Sequence, residues 1–127
     1  GALLVLGLLG LVLRRRAVVV LKAGVSLAGL KPPMLEALAK IAAVARTQGR
    51  ESIVVTSTTE GVHKGSAERP SLHYTGLAVD IRVDPATPEK NAAFAAAIRA
   101  ALGSGYDVVY GNVDHLNHIH IEYDPKE

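Results

Sequence analysis

The 127-residue chain contains no cysteine and no tryptophan, and only one phenylalanine and one methionine. Without thiols there is no disulfide framework, zinc-finger motif or iron–sulfur cluster, so any metal must be held by His, Asp or Glu. With aromatics at 4% of residues, the core has to be packed from Val, Leu, Ile and many Ala. Net charge is low as well: fourteen Lys and Arg against twelve Asp and Glu give +2, too little for a general nucleic-acid binder. The chain is too short for several domains, and at 49% hydrophobic it is too apolar for a disordered or fibrous one.

A full-length membrane span is missing too. Ala2 to Leu13 are apolar apart from Gly7 and Gly10, but these twelve residues fall short of the ~20 that cross a bilayer as a helix. The run ends at Arg14, Arg15 and Arg16, and the chain begins with Gly. Two readings stand for residues 1–16: the downstream end of a truncated membrane anchor, or an apolar docking helix. As a span, its triple Arg would mark the cytoplasmic side and place the rest of the chain inside. Residues 17–127 are expected to form one folded domain.

Within that domain the pattern alternates between strand and helix periods. Ala17 to Leu21 is short and β-branched, as in a strand, and Gly24 to Pro33 is turn-rich. Pro32 and Pro33 open a helix whose Leu35, Leu38, Ala42 and Ala45 lie at helical spacing until Gly49. Ser52 to Ser57 is a second strand, and Thr58 to Ser71 a loop long enough to carry function. Leu77 to Val83 alternates, with Asp80 on the face opposite Leu77, Val79, Ile81 and Val83. Thr87 and Pro88 start a second helix carrying Phe94, Ile98 and Leu102, which closes at Gly103. Tyr106 to Tyr110 and His118 to Tyr123 are the last strands. The order predicts an α+β fold: a small, mostly antiparallel sheet with two main helices packed on one face.

The five histidines all fall between His63 and His120. In Asn117-His118-Ile119-His120-Ile121-Glu122, the strand period sends His118, His120 and Glu122 to one face and the isoleucines to the other. Two imidazoles so placed can share one ion or divide the work of ligand and proton carrier. A lone His-x-His, however, is more often ordinary polar alternation. A second cluster, His73-Tyr-Thr-Gly76-Leu-Ala78-Val-Asp80, adds an imidazole and a carboxylate. Gly76 permits a tight turn between them, and the small Ala78 leaves space beside Asp80. Two His and one Asp match a catalytic zinc site with a fourth position open to water.

Ser71-x-His73-x-x-Gly76-x-Ala78-x-Asp80, followed by His118-x-His120, resembles the zinc peptidases of the D-alanyl-D-alanine carboxypeptidase and phage L-alanyl-D-glutamate endopeptidase group, the M15-like peptidases. These share their metal site with lysostaphin-type peptidases and the hedgehog signalling domain. The resemblance spans Val18 to Pro125. It implies the hedgehog/D-Ala-D-Ala peptidase fold, with Zn2+ on His73, Asp80 and His120 and with His118 stabilising the tetrahedral intermediate. It further implies hydrolysis of the peptidoglycan stem peptide in the cell envelope or outside the cell, a phage or bacterial origin, and a monomer. Ser71, Arg69 and Tyr74 are the expected substrate contacts, with His63 and Tyr110 further candidates.

Two positions depart from the group's pattern. Where many members carry an acidic base three residues before the last zinc histidine, this chain has Asn117, so His115 becomes the candidate base, as in penicillin-insensitive murein endopeptidases. Glu60 stands where carboxypeptidase members tend to have an arginine for the terminal carboxylate. That favours endopeptidase over D,D-carboxypeptidase cleavage, unless Lys64 or Arg69 takes over. The alternative from another class is a zinc-binding interaction domain of the same fold without hydrolysis. In a third reading the histidines are coincidental and the chain is a membrane-anchored structural domain.

Overall fold

The computed structural model describes residues 16–59, 75–112 and 115–125. Their elements follow the expected order: β1 (Val18–Leu21), α1 (Pro32–Thr47), β2 (Ser52–Ser57), β3 (Ala78–Arg82), α2 (Pro88–Leu102), β4 (Tyr106–Val109) and β5 (His118–Tyr123). Both helices start at a proline, where the missing N–H costs nothing and φ is already helical. The apolar run 2–13 lies outside the described residues. No helix among the described residues is long and apolar enough to cross a membrane.

The five strands form one sheet in the order β1-β2-β3-β5-β4. The sheet is mixed, which corrects the expectation of a mostly antiparallel one. β1 and β2 run parallel, with Val18 opposite Ser52 and Leu21 opposite Val55. The β2–β3, β3–β5 and β4–β5 pairs are antiparallel. Parallel pairing follows from α1, because a helix between two neighbouring strands carries the chain back to the end from which it left.

One apolar cluster holds the fold together. Ile53, Val55, Val79, Ile81, Ile119 and Ile121 come from alternate strand positions. Against them lie Met34, Leu38, Ile41 and Ala45 of α1 and Phe94, Ile98 and Leu102 of α2. Both helices therefore serve the same sheet face. Leu35, expected on the inner stripe of α1, is 44% exposed; Met34 and Ile41 take the inner face instead. Thr87 stands at the N-cap of α2 without capping it. Its hydroxyl is directed at the Asp84 carbonyl (3.1 Å) and at Oδ1 of Asn91 (3.3 Å). Asn91, fully buried, donates to the Asp84 carbonyl at 2.6 Å and to the Tyr110 hydroxyl at 3.1 Å. Tyr110 thus supports α2 and packs against the core rather than simply lining a cleft.

Candidate metal centre

β5 is anchored by Ile119 and Ile121, both fully buried, so His118, His120 and Glu122 must emerge on the sheet face away from the helices. β3 does the same for Asp80, between Val79 and Ile81. The antiparallel register then sets Asp80 directly opposite His120 and Arg82 opposite His118. Forty residues apart in sequence, Asp80 Oδ1 and His120 Nδ1 lie 2.8 Å from one another, with side chains 16% and 17% exposed.

A bulge adjusts the other side of Asp80. Val55 pairs with Ile81 but Ser57 pairs with Asp80, so two residues of β2 span one step of β3 and Thr56 is the extra one. Ser57, Asp80 and His120 therefore form one row across β2, β3 and β5. Behind the row, Gly76 adopts φ +76°, and a Cβ there would clash with the carbonyl oxygen of Gly29. The same two loops are tied by the Lys31 N–H donating to the Gly76 carbonyl at 3.0 Å. Gly76 thus has a steric reason beyond the turn expected of it.

His115 joins the histidine face from the β4–β5 loop. Its ring centroid lies 4.9 Å from that of His118 and 5.9 Å from that of His120. The loop is closed by hydrogen bonds between the backbones of Gly111 and His115 and of His115 and Asn112. The Asn112 amide oxygen accepts from His115 Nδ1–H, which leaves the lone pair of the neutral ring on Nε2. His118 Nδ1 is engaged at 2.8 Å by the side-chain oxygen of Asn117.

Of the residues expected at the metal, the described structure brings Asp80 and His120 together. His73 lies outside the described residues. So do Ser71, Arg69 and Tyr74, the expected substrate contacts, together with Glu60, His63 and Lys64. Two residues without an assigned role in the sequence reading stand out. Glu122 Oε1 lies 3.2 Å from the second ring nitrogen of His120, Nε2. Asn112 orients His115. The strand period had put Glu122 on the histidine face, but its reach to His120 depends on side-chain geometry that spacing does not reveal. Glu122 also gathers with Asp107 and Asp124, their carboxylates within 4.8 Å of one another.

His120 is drawn in two directions. Burial disfavours its imidazolium, but the hydrogen bond and charge of Asp80, joined by those of Glu122, outweigh burial and raise its pKa above the ordinary 6.5. Ligands on a tetrahedral zinc with bonds of 2.0–2.1 Å stand about 3.3 Å apart. A separation of 2.8 Å between Asp80 and His120 therefore needs to open only slightly to admit the ion. The hard and borderline donors, O and imidazole N on paired strands, fit zinc.

Asp80 and Glu122 thus meet His120, with His115 and His118 beside it, on one side of a small α+β scaffold. The peptidase M15 family model matches residues 14–122, most of the chain. The chain belongs to the peptidase M15 family, whose members are generally zinc-dependent. No curated protein matches it.

Proposed function

We propose that this protein is a zinc-dependent peptidase that hydrolyses a peptide bond in the peptidoglycan stem peptide, acting as a monomer in the cell envelope or outside the cell. Zinc is held by His73, Asp80 and His120. The observation that carries this reading is the pairing of Asp80 with His120 at 2.8 Å on the same sheet face as two further histidines. Family membership supports the peptidase class.

When bound, zinc supplies an acidified water and a polarised carbonyl. The chain supplies the rest. His115, its Nδ1–H held by Asn112, offers Nε2 as general base in the place where Asn117 cannot accept a proton. His118 has Nδ1 engaged by Asn117, which leaves Nε2 as the atom to meet the oxyanion. Ser71, Arg69 and Tyr74 contact substrate. Glu60 would repel a terminal carboxylate, which favours endopeptidase over D,D-carboxypeptidase cleavage.

Digestion of purified peptidoglycan with product masses read out, with and without a chelator, tests this function. Chelator-sensitive release of defined stem-peptide fragments is expected. Zinc binding with no fragment released would favour the second reading, a non-catalytic zinc-binding domain, for which Asn117 at the usual acidic position speaks.

A further inference from the structure

We propose that Glu122 is a positioning residue: it holds the His120 ring in the orientation and tautomer that present Nδ1, rather than Nε2, to the metal beside Asp80. The proposal rests on the metal-centre reading above and deepens it.

Both ring nitrogens of His120 have a carboxylate partner, Nδ1 with Asp80 at 2.8 Å and Nε2 with Glu122 at 3.2 Å. Turning the ring by 180° would put carbon at both positions and lose both contacts, so the two carboxylates together select one orientation. A carboxylate can only accept, so Nε2 carries a proton whenever it engages Glu122. Once Nδ1 meets a metal, its lone pair is committed and Nε2–H remains on Glu122. This is the carboxylate–histidine–metal arrangement in which an outer carboxylate fixes ring and tautomer.

Local structure holds Glu122 to this task. The strand period places it on the same face as His120, two residues on. Its partner across the β3–β5 ladder is Ala78, whose small side chain leaves the carboxylate room to turn toward the ring. Across the β4–β5 ladder it opposes Asp107, and Asp124 is close by. Like charges on that side favour the His120 N–H as the partner of Glu122.

The experiment compares zinc affinity, by competition with a chromogenic chelator, among wild type, Glu122→Ala and Glu122→Gln. Long-range 1H–15N correlation spectra of the zinc-loaded wild type identify which His120 nitrogen is protonated. Glu122→Ala is expected to weaken zinc binding by about 10- to 100-fold, the usual cost of losing such a partner. Glu122→Gln, whose amide oxygen still accepts from Nε2–H, should recover most of that loss. The wild-type spectrum should show His120 protonated at Nε2 and metallated at Nδ1.

A spectrum with the proton on Nδ1 overturns the proposal even if Glu122→Ala proves unstable. Unchanged affinity in Glu122→Ala also overturns it. So does an equal loss in Glu122→Gln and Asp107→Asn, which would make the carboxylate a ligand instead. Zinc binding that survives unchanged in both Asp80→Asn and His120→Ala overturns the metal-centre reading itself, and this proposal with it.

Discussion

Asp80 and His120 are direct partners in the β3–β5 ladder, and their side chains meet at 2.8 Å on the face that the helices leave open. Both are half-buried on strands fixed by fully buried neighbours, so the pair is held by the sheet and not by a loop. On this basis zinc should raise the melting temperature, since a ligand of the native state stabilises by mass action. Asp80→Ala and His120→Ala should strip the metal and abolish the zinc-dependent shift in calorimetry. His118→Ala should keep its zinc and lower turnover by about 10²- to 10³-fold, the scale of one lost oxyanion donor. Loss of zinc from His118→Ala with retention in His120→Ala would reverse the two roles.

The raised pKa of His120 makes the metal-free protein sensitive to pH. The group binds its proton more tightly folded than unfolded. Its stabilisation is therefore complete below the unfolded value of about 6.5 and is lost as pH rises through the higher folded value. Chelator-treated protein should melt at a lower temperature as pH is raised through that window, and His120→Gln should flatten the dependence. Zinc works in the opposite direction, because it requires a deprotonated Nδ1. Its stabilising increment should grow over the same window.

Proton transfer can be assigned by two substitutions at the β5 entrance. If His115 is the base, His115→Ala should cost about 10²- to 10⁴-fold in activity and remove the acidic limb of the pH–rate profile, while Asn117→Asp changes little. If Asn117 has disabled the reaction, Asn117→Asp should instead raise activity by a comparable factor. Steady-state kinetics on a stem-peptide substrate separate the outcomes.

Gly76 should be intolerant of a side chain for a reason that Gly24 lacks. Both have positive φ, +76° and +86°, but a Cβ at Gly24 meets nothing within 4 Å, whereas at Gly76 it meets the Gly29 backbone. Gly24→Ala should cost about 1 kcal/mol, the left-handed penalty alone. Gly76→Ala should cost clearly more, lowering the melting temperature by several degrees further, because backbone cannot yield as a flexible side chain does.

The local elements were legible from the chain because each carries its own period. Alternation in Ala78–Arg82 and His118–Tyr123, and the four-residue rhythm of Phe94, Ile98 and Leu102, follow from how a strand or helix turns its side chains toward one core. The same rule put Asp80 and the two histidines on faces away from that core. Leu35 slipped through because an apolar residue at the margin of a helical stripe reads like one inside it.

What the sequence by itself determined was therefore which residues share a face, and the M15 motif that joins His73, Asp80 and His120 on paper. Tertiary structure decided everything that depends on register between segments far apart. It made β1 and β2 parallel, slipped β2 by one residue at Thr56, set Asp80 against His120, and closed Glu122 onto the second ring nitrogen. Periodicity within one strand fixes only which way a side chain points. Which partner it meets is set by ladder hydrogen bonds and core packing summed over the whole sheet, and a one-residue slip of β3 against β5 would have left Asp80 and His120 on opposite faces.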